Sequence, residues 1–159
     1  MKVLLCGSNG QLGTALKKFY PKNYHFYYRS KQELDICNFD SLRNCINEIK
    51  PNLIINAAAY NAVDEAEKNK KIAKQVNFEG PKNLSILSSN NNIKLIHIST
   101  DYVFDGKSEI PYSENDLTNP LTYYGKTKLM GEKFIINNND NYIIFRVSWL
   151  YGPYKKNFL

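Results

Sequence analysis

Long apolar runs are missing from this sequence. None of its 159 residues belongs to a stretch approaching the roughly 20 apolar residues that cross a bilayer, so no membrane span is expected. The opening Met1-Lys2-Val3-Leu4-Leu5-Cys6-Gly7 lacks the apolar core and cleavage site of a secretory signal and turns into a glycine loop instead. The cytoplasm is the expected compartment. Cysteine is scarce: Cys6, Cys37 and Cys45 are odd in number and show no metal-ligand spacing, so buried reduced thiols and no metal are expected. There is no internal repeat and no linker that would divide the chain. A long basic stripe is missing too, although the net charge is +6 and the pI near 9.1. The lysines are scattered among abundant asparagines, so a nucleic-acid partner is not expected. A basic surface can still attract an anionic ligand. What remains is ordinary for a globular protein, with 43% hydrophobic and 23% charged residues, and long enough for one domain with a real core.

The apolar segments that are present are short and end in small or polar residues. Lys2–Cys6 reads as a buried strand, followed by Gly7-Ser8-Asn9-Gly10-Gln11-Leu12-Gly13 and a helical pattern over Thr14–Phe19. Strand, glycine loop and helix come in the order a dinucleotide-binding turn requires. Gly7 permits the sharp turn, Gly10 lets backbone N–H groups approach a pyrophosphate, and Gly13 lets the helix pack close to the strand. The spacing is G-x-x-G-x-x-G rather than G-x-G-x-x-G. A second strand over 24–29 ends in Arg29-Ser30-Lys31 with no acid in place to bind an adenosine 2′-OH. Arg29 offers either a bidentate clamp for a 2′-phosphate or a solvated loop arginine. Asp35 and Ile36 follow. Asp40 is expected to cap a helix over Ser41–Ile49, ended by Pro51.

A third strand, residues 52–56, runs into Ala57-Ala58-Ala59-Tyr60. Small residues there allow close approach by a ligand, or simply cover tight packing. Asp64, Glu65 and Glu67 sit on a short helix over Val63–Asn69 and suit a solvated acidic face better than a metal. A long helix from Ile72 to Ser89 contains Gly80-Pro81 and a risk of a kink; Asn77, if buried on it, needs partners. The fourth strand, Lys94–Ile98, leads into Ser99-Thr100-Asp101, and His97 is expected to be a packing or surface residue. A long loop over 101–121 is the kind that often carries function. Strands alternate with helices, which predicts an α/β fold: a doubly wound, Rossmann-like parallel sheet with flanking helices.

The stretch the rest is organised around is Tyr124-Gly125-Lys126-Thr127-Lys128. On a helix from about Thr122 to Ile136, Tyr124 and Lys128 share a face one turn apart. An ammonium beside a phenol is expected to lower the phenol's pKa and let the pair exchange a proton with a substrate oxygen. A hydroxyl from Ser99-Thr100 can complete the site. A partly buried ring and a solvated charge would leave the same trace in the sequence. The fifth strand, residues 142–147, ends at Ser148-Trp149.

These segments together resemble the extended short-chain dehydrogenase/reductase superfamily and, within it, the dTDP-4-dehydrorhamnose reductases. The matching stretches are Gly7–Gly13, Asn56–Ala59, Ala62–Glu67, Ser99–Gly106, Tyr124–Lys128 and Phe145–Trp149. The resemblance implies that Thr100, Tyr124 and Lys128 form a catalytic triad. It implies that Gln11, Leu12, Asp35, Ile36, Ala57, Ala58, Tyr124 and Lys128 touch a nicotinamide cofactor; Gly7, Gly10, Gly13, Arg29, Ala59 and Tyr60 join that set from the residues themselves. Thr100, Asp101 and Trp149 are implied to touch a dTDP-sugar. Arg29 and Lys31 favour NADPH, though a flexible lysine can rotate away and admit NADH.

The expected organisation is a single NAD(P)-binding domain over 1–159, truncated before the substrate domain that such reductases carry. The expected activity is reduction of dTDP-4-dehydrorhamnose to dTDP-L-rhamnose, for polysaccharide biosynthesis, impaired in this chain alone. With Trp149, Phe158 and Leu159 at an uncovered end, self-association or a separate C-terminal segment as partner is expected. The alternative is a non-catalytic NADP-binding subunit similar to the regulatory subunit of methionine adenosyltransferase. Intact Thr100, Tyr124 and Lys128 speak against it, because a pure binding module needs no proton donor.

Overall fold

The structure, a computed structural model, describes residues 1–19 and 23–154. Phe158 and Leu159 lie outside the described residues. Five strands, β1 (Lys2–Cys6), β2 (His25–Arg29), β3 (Leu53–Asn56), β4 (Lys94–Thr100) and β5 (Tyr142–Val147), form one sheet in the order β2-β1-β3-β4-β5. All neighbours run parallel. The central strand β1 is apolar on both faces because both are covered: Val3, Leu4, Leu5 and Cys6 are all fully buried. On one face Leu4, Ile54 and Leu95 meet Leu42, Ile46, Leu84 and Ile135. Those four come from helices α2 (Phe39–Ile49), α5 (Gly80–Asn90) and α6 (Tyr123–Asn138), so the expected α/β sheet with flanking helices is present. No helix among the described residues is long and apolar enough to cross a membrane.

Several elements differ from expectation for local reasons. Helix α1 (Gln11–Phe19) begins inside the glycine loop rather than at Thr14, and the Thr14 N–H donates to Gly10 O at 2.9 Å. Asn38, not Asp40, caps α2: its extended backbone lets Oδ1 accept the Ser41 N–H at 3.0 Å. Asp40 falls in the first turn and pairs with Arg43 at 2.8 Å. The short helices α3 (Val63–Lys68) and α4 (Lys70–Lys74) precede α5. Between α4 and α5 the coil widens into a π-helical turn over Gln75–Glu79. Pro81 then falls in the first turn of α5, where a missing N–H costs nothing. The wide turn, not a Pro kink, is how the long helix accommodates Gly80-Pro81.

Asn77 is fully buried on that turn and has its partners. Its Oδ1 accepts the Tyr60 N–H at 2.8 Å, and its Nδ2 donates to Tyr60 O at 3.0 Å and to Thr127 Oγ1 at 3.2 Å. One side chain thus pins the segment after β3 to α6. Glu67 on α3 does similar work, accepting the Tyr123 N–H at 2.7 Å. With Thr122 Oγ1 accepting the Gly125 N–H at 3.0 Å, it caps the helix that carries the Tyr/Lys pair.

The three thiols are free. Burial pushes Cys6 and Cys37 up to about 12, so both are protonated and unreactive.

Candidate active site

The strand order reverses between β1 and β3, so the segments that follow them diverge and leave a crevice at the C-terminal edge of the sheet. Gly7 stands at its base. Its φ of +79° is open to glycine alone without strain, and a Cβ there would lie 2.5 Å from Ala58 N. A Cβ on Gly13 would meet the Ser8 backbone at 2.6 Å, so the helix is held tightly to the loop. Gly10 borders two cavities, one on each side of the loop.

The larger cavity, about 460 Å³, gathers Thr100, Tyr124 and Lys128 with Gln11, Asp101 and Trp149. The second, about 300 Å³, is lined by Gly7, Asp35, Ile36 and Ala58, and by Lys31 and Gln32. Leu12 lines the first, while Ala57 and Ala59 line both. Most of the expected site residues therefore converge. Arg29, Gly13 and Tyr60 line neither cavity. Arg29 Nη1 donates to Tyr28 O at 3.0 Å, and it is Lys31, two positions on, that reaches the second cavity. Tyr60 packs with Ala66, Ala73 and Tyr124 behind the wall.

Within the larger cavity the charges are not arranged as the spacing predicted. The net shift of Tyr124 runs opposite to the one expected from a neighbouring Lys128. Burial holds the phenol above its ordinary value of 10.0; a hydrogen bond with Thr100 works against this, and the Asp101 charge adds to it. The reason is where the ammonium points. Lys128 is almost wholly buried; its Nζ donates to Ile98 O at 2.7 Å and lies 3.3 Å from His97 Nε2. Burial also pushes Lys128 itself down to about 8, with Glu132 pulling the other way. Tyr124 is thus a protonated acid at neutral pH, beside a lysine near its titration point.

Thr100 ends β4. Its hydroxyl donates to Asp101 Oδ1 at 3.1 Å and accepts the Tyr102 N–H at 3.2 Å. Asp101 Oδ2 accepts from Ser148 Oγ at 2.7 Å, which ties the ends of β4 and β5 together. Behind them Arg146 meets the fully buried Glu132 through Nε and Nη2, the shortest contact 2.8 Å. Its Nη1 donates to Glu114 O at 3.1 Å, and the guanidinium lies over the Phe104 ring. This side chain helps fasten the long loop to β5.

His97, expected to be a packing or surface residue, is the former: it is fully buried and contacts Asn56 as well as Lys128. The available signal was register, since Asn56 and His97 lie opposite each other on β3 and β4.

Residues 1–159 match the family model described as the RmlD substrate binding domain. The chain belongs to that family. A relative in Aggregatibacter actinomycetemcomitans, a dTDP-4-dehydrorhamnose reductase, is 41% identical over 99% of this chain and 54% of its own length. A crystal structure of a dTDP-4-dehydrorhamnose reductase from Clostridium acetobutylicum superposes with a TM-score of 0.95 at 44% identity, covering 99% of this chain and 56% of that one. Another from Bacillus anthracis, in complex with NADP, gives 0.96 at 40% identity, again covering 99% and 56%. The motif resemblance to the dTDP-4-dehydrorhamnose reductases and the Rossmann-like fold are both borne out. The chain spans about half the length of these relatives.

Proposed function

We propose that this chain is the dinucleotide-binding and proton-donating part of a reductase that converts dTDP-4-dehydrorhamnose and NADPH to dTDP-L-rhamnose and NADP. The observation that carries the reading is a single cavity bringing Thr100, Tyr124 and Lys128 to the mouth of the glycine loop. NADPH fits what the loop offers. Gly7 leaves no room for a side chain where the backbone meets Ala57 and Ala58. The buried Nε2 and Oε1 of Gln11, and Oγ of Ser8 and Ser99, have no hydrogen-bond partner among the described residues. The N-terminus of α1 gives partial positive charge to a pyrophosphate, and Lys31 supplies a cation to a 2′-phosphate in the second cavity.

NADPH, when bound, supplies the hydride for C4 of the sugar. Tyr124 gives a proton to the C4 oxygen as negative charge develops on it. Its raised pKa keeps that proton in place beforehand, and transfer to an alkoxide, a stronger base than a phenolate, is downhill. Thr100 steadies the same oxygen by turning its hydroxyl hydrogen from Asp101 to the substrate. Lys128, close to its own titration point, restores the proton to Tyr124. Asp101 and Trp149, which line the same cavity, are assigned to the sugar nucleotide.

Tyr124→Phe tests this. Measured in the chain supplemented with the C-terminal half its relatives carry, it should lower turnover roughly 10²–10⁴-fold and leave NADPH affinity unchanged. Turnover near that of the parent would end the triad assignment. A non-catalytic binding subunit is the second reading, favoured by the exposure of Trp149 and Tyr151, 67% and 60%, on the substrate side. NADPH binding with no oxidation by dTDP-4-dehydrorhamnose in the supplemented protein would support it.

A further inference from the structure

No step above uses His97, although it is fully buried and touches Lys128. Its surroundings fix its hydrogens. The backbone N–H of Ala58 donates to Asn56 Oδ1 at 3.1 Å, so the amide oxygen faces Ala58 and the NH₂ group faces His97. Asn56 Nδ2 is 3.0 Å from His97 Nδ1. An amide nitrogen only donates, so Nδ1 must accept. Burial first, then the nearby Lys128 charge, push the imidazole well below 6.5, and the ring is neutral. A neutral ring with a bare Nδ1 carries its one hydrogen on Nε2. That hydrogen is directed at Lys128 Nζ, 3.3 Å away. An ammonium has no lone pair to receive it and would oppose it with hydrogens of its own. A neutral amine receives it and still donates to Ile98 O at 2.7 Å.

We propose that His97 is a positioning residue for Lys128: held by Asn56 as the Nε2–H tautomer, it offers a donor to the lysine nitrogen and favours the neutral amine. The chain of donors runs Asn56 to His97 to Lys128 to the Ile98 carbonyl, behind the cavity wall. The other groups near Lys128 are Glu132 one turn along α6, which favours the ammonium and is itself paired with Arg146 of β5, and Asp101 and Tyr124 at the cavity. The use of this device rests on the proposed reductase reading: a nitrogen that takes up and releases a proton near neutral pH can restore the one Tyr124 gives away, and a permanent cation cannot.

The test is made by NMR on this chain without ligand. Side-chain ¹⁵N shifts of His97 should place the hydrogen on Nε2 and leave Nδ1 bare across pH 6 to 9. An Nδ1–H tautomer, or a protonated ring, overturns the proposal. The ¹³Cε shift of Lys128 should titrate near 8 in the parent. Asn56→Asp replaces the donor at Nδ1 with an acceptor, so His97 should switch to Nδ1–H, present a lone pair to Lys128, and raise its midpoint by about one unit or more. A carboxylate raises that midpoint by charge alone as well, so Asn56→Asp is repeated in a His97→Phe background. A clearly smaller rise there is expected. An equal rise means that charge acts without the histidine and refutes the proposal. Should these variants fail to fold, the tautomer of the parent chain decides. Failure of the reductase reading is separate, because it would appear as no oxidation of NADPH by dTDP-4-dehydrorhamnose in the supplemented protein, with the tautomer of this chain unchanged.

Discussion

Replacing Lys128 with methionine should change how stability depends on pH more than it changes stability itself. Lys128 is 1% exposed and sits at about 8 instead of 10.5. At about 1.4 kcal/mol per unit, that shift is worth on the order of 3 kcal/mol. The sign follows from which state holds the proton. Below pH 8 both folded and unfolded chains carry it, and the folded state bears the whole penalty of a buried charge. Between pH 8 and 10.5 the folded chain has released the proton and the unfolded chain has not, so stability rises with pH. Above 10.5 both are neutral and the penalty is gone. Lys128→Met removes the charge but leaves the Ile98 carbonyl without its donor, a loss of about 1–3 kcal/mol. The two effects nearly cancel at pH 7. Urea unfolding of parent and variant at pH 7, 8, 9 and 10.5 separates them. Titration of the other residues is common to both proteins and drops out of the difference. The variant's advantage should shrink, and turn into a deficit, by about 3 kcal/mol in total across that range. Parallel stability curves would show that Lys128 does not titrate near 8, and the account of its burial would be wrong.

Lys31→Ala and Arg29→Ala should both weaken NADPH more than NADH in a fluorescence titration, Lys31 the more strongly because it lines the second cavity; equal losses for the two cofactors would mean that neither reads a 2′-phosphate. Arg146→Ala leaves Glu132 buried and unpaired, so it should destabilise by about 3–5 kcal/mol in urea unfolding and release the loop through Glu114; a loss below about 1 kcal/mol would show the pair to be unimportant. With Trp149, Leu150 and Tyr151 exposed together at the end of the sheet, sedimentation should detect self-association that a C-terminal half from a relative suppresses; a monomer at all concentrations would refute it.

The sheet was legible because each strand is an apolar run ending where small or polar residues begin, and a parallel sheet covered on both faces leaves that trace. The main strand boundary that moved has a clear cause. β4 extends through Ser99 and Thr100 because β5 continues alongside them, pairing Arg146 and Val147. Nothing in the adjacent polar pair Ser99-Thr100 announces a shared ladder. The helix caps were harder. Asn38 and Asp40 are equally good capping residues, and the choice fell to the one whose backbone is extended. The π-helical turn has no sequence signature at all; it ends just before Gly80, which packs against Ile36.

The site itself divides the same way. That strand ends and helix starts gather at a topological switch point was legible, although Arg29, Gly13 and Tyr60 line neither cavity there. The electrostatics of the site were not. Spacing on a helix says that Tyr124 and Lys128 share a face, but not which groups meet the lysine nitrogen once the helix is packed. That depends on β4 lying beneath α6 and offering the Ile98 carbonyl and the His97 ring, both more than 25 positions away in the chain. Thr100, the hydrogen-bond partner that works against the upward shift of Tyr124, is likewise distant in sequence. Burial then decides the direction of both shifts, raising the neutral acid and lowering the cation, because each loses water in its charged form. A phenol held above its ordinary value and a lysine brought down to about 8 are both consequences of packing, where spacing alone suggested a lowered phenol beside an ammonium.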